Sequence, residues 1–371
     1  MKEAFNGTFN GLEVLVTGNT GFKGSWLSVW LNELGANVIG YSNGVPTIPN
    51  NFELSHLKDR IKHIQADIRN LEKLEDTIKT YKPELVIHLA AQPIVLRSYE
   101  EPKETFDTNV GGTVNVLDAV KRNPFVKALV CITSDKCYAD QEWAFGYREN
   151  DILGGHDPYS ASKAMSEIAI KSFNNSFFLP NKNHPTAVAS ARAGNVIGGG
   201  DFADYRLVPD CMKALMDNKR IEVRNPESIR PWQIMLEPLS GYLSLAAHLL
   251  EYGNEDAEGW NFGPLEKKGI TAKEIVEESI RLWGSGDYFI TSDAPKQKET
   301  KMLRLSWDKA ASILNWEPSY TWKEALSQTV SWFKTLSENK GKNSFDMYEK
   351  CAADIEDYTQ RARTLGREWA L

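Results

Sequence analysis

In the first half of the chain, short and nearly continuous apolar runs alternate with longer stretches whose apolar positions recur every three to four residues. The runs VLVTG (14–18), NVIGYS (37–42), IKHIQAD (61–67), ELVIHLA (84–90), ALVCITS (128–134) and TAVASAR (186–192) predict strands. Helices are predicted over SWLSVWLNEL (25–34), LEKLEDTIKTY (71–81), TNVGGTVNVLDAVKR (108–122) and from about Pro158 to Phe178. Strands that are apolar on both faces, separated by amphipathic helices, imply an α/β fold whose parallel sheet is covered on both sides.

After Asn195 the rhythm breaks. GGGDFADYRLVPD (198–210) has loop composition, and shorter mixed elements follow with Trp232, Trp260, Trp283, Trp307, Trp316 and Trp322 among them. The polar stretch SENKGKNS (337–344) reads as a surface loop ahead of a charged final helix, DMYEKCAADIEDYTQRARTL (346–365). This predicts a nucleotide-binding domain over 1–193, joined by part of 232–262, and a smaller, mainly substrate-binding α/β domain over 194–371.

Within this frame VLVTGNTGFKGSW (14–26) carries the first chemistry. Gly18, Gly21 and Gly24 follow a strand and open a helix. Missing side chains there permit a tight turn and close approach of a pyrophosphate, which the free N–H groups of the helix start attract. That context points to a dinucleotide. About 20 residues further on, an acidic residue normally holds the ribose of NAD and an arginine the phosphate of NADP. Here Tyr41, Ser42 and Asn43 stand instead, with neither the acid nor the arginine, and NAD is the favoured cofactor. Lys23 is read as solvent-facing, with cofactor phosphate as its alternative partner.

A second constellation is DPYSASK (157–163), where Tyr159 and Lys163 share one helix face. A lysine beside a phenol favours phenolate and makes tyrosine a usable base. TSDK (133–136) stands at a strand end upstream. Ser134 and Thr133 point to opposite faces there.

Together these stretches resemble the extended short-chain dehydrogenase/reductase family, with its Rossmann-type doubly wound sheet. Within that family, SDKCY (134–138) resembles the CDP-glucose 4,6-dehydratases, in which lysine replaces the more common glutamate after aspartate. Further likeness lies in TGNTGFKGSWL (17–27), EWAFGYRENDILGGHDPYSASK (142–163), ARAGNVIGGGDFADYRLVPD (191–210), RNPESIRPWQ (224–233), LEPLSGYL (236–243) and GWNFGP (259–264). It covers about residues 12–265. Two departures fall beyond the cofactor half: Ile234 where the family has histidine, and KQKETKMLRLSWDKA (296–310) where it has His-Glu-Ala before a KLxLDxSKA segment.

The resemblance implies a bound NAD and a nucleotide-sugar substrate, with CDP-glucose favoured. It implies Ser134, Asp135, Lys136, Tyr159 and Lys163 as the catalytic set. Cofactor contacts are expected from Gly18, Thr20, Gly21, Phe22, Lys23, Gly24, Asp67, Ile68, Leu89, Ala90, Ala91 and Asn109, besides Tyr159 and Lys163. Gln92, Arg192, Asn195, Arg206, Arg224 and Arg230 are expected on the substrate. Tyr159 would remove the proton of the hydroxyl at sugar carbon 4 during oxidation. Asp135 would protonate the leaving hydroxyl of carbon 6, and Lys136 would remove the hydrogen at carbon 5 or stabilise the enolate. An epimerase or reductase of the same fold is the alternative enzyme, against which Asp135-Lys136 speaks. A non-catalytic sensor of dinucleotides is the alternative of another class.

Composition changes little. The chain has 371 residues and a net charge of −7, with no basic surplus for nucleic acid or an anionic membrane. Its four cysteines are scattered without metal-ligand spacing, so no metal is expected and free thiols in a reducing compartment are. No apolar run approaches the ~20 residues of a membrane helix, and the first residues lack a signal-peptide core. The expectation is a cytoplasmic homodimer or homotetramer, paired through the helices containing Asn109–Lys121 and Tyr159–Phe178.

Overall fold

A computed structural model describes residues 1–181, 186–266, 268–291, 303–342 and 345–371. At its centre is a seven-stranded, wholly parallel sheet. Its strands are β1 (Glu13–Thr17), β2 (Asn37–Ser42), β3 (Lys62–Gln65), β4 (Leu85–His88), β5 (Ala128–Ile132) and β6 (Ala187–Ala193). The seventh, Gly259–Phe262, pairs with β6 at one edge, so the sheet is completed by a segment far along the chain. Strand order is 3-2-1-4-5-6 followed by this edge strand. The order reverses between β1 and β4, and in open α/β sheets the crevice at such a reversal receives the ligand.

All predicted strands are present: β2 matches its predicted range, β1 lies one residue earlier and β6 one residue later, and β3, β4 and β5 lose one or two residues at an end, where the chain leaves the ladder for turns. The helix predicted from residue 25 begins at Phe22, since Gly21 already serves as its N-cap. It runs Phe22–Glu33 and buries Trp26, Leu27, Val29, Trp30 and Leu31. Burial all round follows from its position between the sheet and the helix Tyr348–Thr364. By contrast, Leu71–Tyr81 is one-sided, with Asn70 capping it and Leu74 and Ile78 facing inward.

Two predicted helices are interrupted. The segment 108–122 starts as a π turn over Asp107–Gly111 before the helix Gly112–Lys121. Likewise Pro158–Phe173 ends in a π turn over Asn174–Phe178. Each turn holds an asparagine whose side chain ties distant backbone. Asn109 Nδ2 donates to the Gln92 carbonyl at 3.1 Å, and Asn174 Nδ2 to those of Val188 at 2.7 Å and Ala257 at 3.0 Å. Local widening of a helix for such a side chain is the usual setting of a π turn. The final helix, Tyr348–Thr364, falls inside its predicted range.

Beyond residue 195 the described residues form small two-stranded pairs and helices packed on the same continuous core as β1 and β6. The loop predicted over 337–344 is partly helical, since Trp322–Glu338 extends into it, and residues 343–344 lie outside the described residues. Of the variant stretch 296–310, residues 296–302 also lie outside them.

Candidate functional site

The turn after β1 is built by backbone. Gly18 has φ +72°, and a Cβ there would stand 2.7 Å from the Ala90 nitrogen. A Cβ on Gly24 would stand 2.1 Å from the Gly18 carbonyl oxygen. The first helix therefore starts hard against the turn, and no side chain caps it. Its first N–H groups have no acceptor within the helix, an arrangement suited to holding an anion. Thr20 closes the rim by donating to the Gly44 carbonyl at 2.5 Å.

Leu89 and Ala90, with Ala91 following, form the opposing wall: Leu89 N donates to the Thr17 carbonyl at 3.1 Å and Ala90 N to Thr17 Oγ1 at 3.2 Å. Beside this cradle two buried oxygens, Asn19 Oδ1 and Ser42 Oγ, have no hydrogen-bond partner. Orphaned acceptors and hydroxyls at a strand end suit the sugar and phosphate of a nucleotide. Asp67, at the end of β3, is held by Arg69 through its main-chain N–H at 2.8 Å, Nε at 3.0 Å and Nη2 at 2.7 Å. That guanidinium keeps the Asp67 carboxyl below its ordinary range. The Ile68 side chain is in the core against Gly112, which leaves only its backbone for a ligand.

The second turn, after β5, is built by side chains. Ser134 caps the short helical turn Asp135–Cys137. Its hydroxyl donates to Asp135 Oδ1 at 2.9 Å and accepts from Lys136 N at 3.2 Å, and it favours ionisation of the Tyr159 phenol. Thr133 points the other way, its hydroxyl on the Glu167 carboxylate. Asp135 is buried; desolvation pushes its carboxyl up, against the opposing pull of Lys136, Ser134 and Lys23. Burial thus favours the protonated form of this carboxyl more than it would in water.

Tyr159 and Lys163 lie on one face of the helix Pro158–Phe173, both buried. The Lys163 amine sits 6.0 Å from the Tyr159 ring centre and 3.5 Å from the Ile132 carbonyl. Burial lowers it to about 8. Burial also raises the Tyr159 phenol to about 12, with Ser134 as the main opposing pull. The expected depression of the phenol by Lys163 is therefore not a property of the protein by itself.

Lys23 corrects the sequence reading most. It does not face solvent: its amine donates to the Tyr242 hydroxyl at 3.2 Å. Burial lowers it to about 7, reinforced by repulsion from Lys163 and Arg206 and opposed by Asp135. Lys23 thus points from the cofactor turn into the space shared by Asp135, Lys163 and Arg206. Arg206 itself is about one-third exposed, pairs with Asp201 at 2.8 Å and feels the Tyr159 phenol.

Two expected substrate residues are otherwise employed. Arg192 is buried, with Nε and Nη2 on Glu167 and Nη1 on the Tyr138 hydroxyl and the Glu149 carbonyl. Gln92 donates its amide to Thr105 at 2.9 Å and accepts from Ile94 N at 2.6 Å, shaping its own loop. Its backbone is gripped by Asn109, which also donates to Ser162 at 2.9 Å and so ties this loop to the catalytic helix. Asn195 is half-buried just after β6. Arg224 is exposed, 3.5 Å from Glu222, while Arg230 lies in the short strand Ile229–Arg230 and donates to the Ile229 carbonyl at 2.8 Å.

Sequence reading missed Glu167, Tyr242, Arg69 and His88. Glu167 follows Lys163 by four residues on the same face, a spacing already used for Tyr159. His88 is held by Thr17 at 2.7 Å and Thr113 at 3.2 Å, and burial lowers it to about 3, so it is a neutral core residue. No local signal announces Tyr242, which comes from a helix 219 positions beyond Lys23. Among the described residues no cluster suits a metal ion, and no helix is long and apolar enough to cross a membrane.

A family model described as GDP-mannose 4,6 dehydratase matches residues 15–329. Among curated relatives, the CDP-glucose 4,6-dehydratase of Salmonella typhimurium is 46% identical over 352 residues, covering 94% of this chain and 97% of that protein. Among solved structures, the UDP-glucose 4-epimerase of Thermotoga maritima with UDP-glucose has a TM-score of 0.74 at 22% identity, covering 87% of this chain and 99% of its own. The dTDP-glucose 4,6-dehydratase of Bacillus anthracis in complex with NAD has a TM-score of 0.73 at 24% identity, covering 88% and 98%. At those identities the two structures speak for the fold.

Proposed function

The chain belongs to the GDP-mannose 4,6-dehydratase family, and from that premise we propose that it converts CDP-glucose to CDP-4-keto-6-deoxyglucose. It is an NAD-dependent nucleotide-sugar 4,6-dehydratase, a hydro-lyase. CDP-glucose as the substrate is supported by the 46% identity to the Salmonella enzyme of that name. The observation that carries dehydration, rather than epimerisation, is the buried Asp135 held by Ser134 beside Tyr159. Epimerisation at carbon 4 has no leaving group to protonate.

NAD, when bound, supplies a hydride acceptor and later donor, and its oxidised ring brings the positive charge that a burial-raised phenol needs in order to ionise. The turn at Gly18–Gly24 and the start of the first helix hold its pyrophosphate, while Ser42 and Asn19 offer unpaired atoms to the adenosine half. Ser134 orients the 4-hydroxyl of the sugar and Tyr159 takes its proton. Lys163 keeps positive charge beside the phenolate that must form. The resulting 4-ketone acidifies the hydrogen at carbon 5, and Lys136 removes it or steadies the enolate. Asp135 gives its proton to the departing 6-hydroxyl, and the 4-keto-5,6-ene left by the loss of water would take back the hydride at carbon 6 and a proton at carbon 5. Arg206, Asn195, Arg224 and Arg230 are the candidates for the nucleotide diphosphate, since guanidinium forks suit phosphate oxygens.

A homodimer in the cytoplasm completes the proposal. Support comes from exposed Met165, Ile168, Phe177 and Leu179 on and just beyond the catalytic helix. Light scattering that returns a monomer would remove the dimer.

The deciding test is incubation with CDP-glucose deuterated at carbon 4, with NAD, followed by NMR. The expected product is the 4-keto-6-deoxy sugar with the label at carbon 6. An epimer, or label lost to solvent, would overturn the assignment. Turnover of dTDP-, UDP- or GDP-glucose in preference would overturn the nucleotide.

A further inference from the structure

Glu167 lies four residues after Lys163 and eight after Tyr159, so the three stack along one face of the helix Pro158–Phe173. Its carboxylate is 4% exposed and receives four donors. The Thr133 hydroxyl donates from the end of β5, the Ser190 hydroxyl from β6 at 2.7 Å, and Arg192 from β6 through Nε at 2.9 Å and Nη2 at 2.7 Å. One side chain thus joins the helix that carries Tyr159 and Lys163 to the residue preceding Ser134. Through Arg192 Nη1 the same network reaches the Tyr138 hydroxyl at 2.5 Å, and Tyr138 donates to Asn261 on the edge strand at 2.8 Å. The segment leaving the catalytic turn is therefore anchored to the same carboxylate.

We propose that Glu167 is a positioning residue for the dehydratase reaction: clamped by Thr133, Ser190 and Arg192, it fixes the catalytic helix against the end of β5 and places a buried carboxylate one turn beyond Lys163 on the same face. The inference rests on Tyr159 and Lys163 being the reacting pair.

The surroundings of Lys163 leave this role to Glu167. His88 on β4 is neutral, and the thiols of Cys131 on β5 and Cys137 after it are pushed up by burial, so none carries charge near neutral pH. Lys23 faces it from the first helix and repels it. On its own helix stand Tyr159, also pushed up by burial, and Glu167, the foremost group acting in favour of the charged amine. Arg192, through direct pairing, keeps Glu167 ionised. A buried ammonium without such a partner gives up its proton.

Glu167→Gln tests this, read first by the titration of Lys163 in carbon-13 NMR of lysine-labelled protein, with Lys163→Arg assigning the resonance. Its midpoint, near 8 in the parent, is expected to fall by about one pH unit or more. The pH at which kcat declines on the alkaline side is expected to fall with it, with KM for the nucleotide sugar nearly unchanged. Glu167→Asp, which keeps the charge, is expected to restore the midpoint. If Glu167→Gln does not fold, Glu167→Gln/Arg192→Gln replaces the ion pair by two amides and carries the same expectation. An unmoved Lys163 midpoint overturns the proposal even if turnover changes. A parent protein that does not turn over CDP-glucose counts against the assigned substrate and leaves the NMR titration to decide on Glu167.

Discussion

The turns after β1 and after β5 are made by opposite means. The first is a backbone device: glycines at 18, 21 and 24 bring main chain to main chain, and its ligand is met by N–H groups that any sequence possesses. The second is a side-chain device, in which Ser134 holds Asp135 beside Tyr159 and Glu167 holds Thr133 just before them. A backbone site fails when something is added to it. A side-chain site fails when something is taken away.

The sharpest way to break the first turn is therefore an addition. Gly24→Ala places a methyl group 2.1 Å from the Gly18 carbonyl oxygen, and backbone cannot swing aside. We expect a loss of roughly 3 kcal/mol of stability, in the range of severe overpacking, together with loss of NAD binding. Thermal unfolding and calorimetric titration with NAD read both. A variant with parental Tm and NAD affinity would show that the turn is looser than its glycines imply.

For the second turn, subtraction is enough. Asp135→Asn keeps size and burial but holds no proton to give. A fall in kcat of about 10²–10⁴-fold is expected, the usual contribution of a positioned acid, with Tm close to the parent. Oxidation at carbon 4 should survive, so reduced cofactor should accumulate on mixing with the sugar nucleotide and be visible in near-ultraviolet absorbance. Full turnover would move the acid elsewhere.

A smaller effect separates a side-chain clamp from chemistry altogether. Glu237 is buried in the helix Leu236–Tyr252 and accepts from Ser319 N at 2.8 Å, Tyr320 N at 2.6 Å and the Tyr358 hydroxyl at 2.6 Å. Burial raises it from 4.5 to about 7. A carboxyl raised in the folded state binds its proton more tightly there than in the unfolded chain. Its contribution is therefore fully present below about 4.5 and is lost as pH rises through about 7. Between those limits Glu237→Gln should flatten the decline of Tm with pH, by on the order of 3 kcal/mol in stability. An unchanged slope would place the pH dependence in other groups.

The same contrast explains what the sequence discloses. Glycine spacing after a strand, and Tyr159 four residues before Lys163, are local patterns set by backbone geometry, and the fold class follows from the apolar rhythm of β1 to β6. The direction of Lys23 is not local, because Tyr242, which receives it, and Arg206, which repels it, lie beyond residue 200. Arg192 reads as a phosphate ligand by residue type, yet its partner Glu167 uses up that guanidinium inside the sheet. Gln92 is similar: its amide is consumed by Ile94, two residues on, and by Thr105 of the short helix Pro102–Phe106. Side chains with several donors declare their chemistry in a sequence, and burial alone decides which partner receives it.

The edge strand Gly259–Phe262 also has a consequence for the order in which the molecule matures. Asn261 donates from its amide to the Tyr147 carbonyl at 2.9 Å and receives the Tyr138 hydroxyl, bracing the segment that follows the catalytic turn. A nascent chain that has left the ribosome only as far as β6 has all five catalytic candidates in hand but an open sheet border and an unbraced active-site segment. The segment that follows this turn is thus braced by a residue synthesised about 120 positions after it, once the sheet is closed.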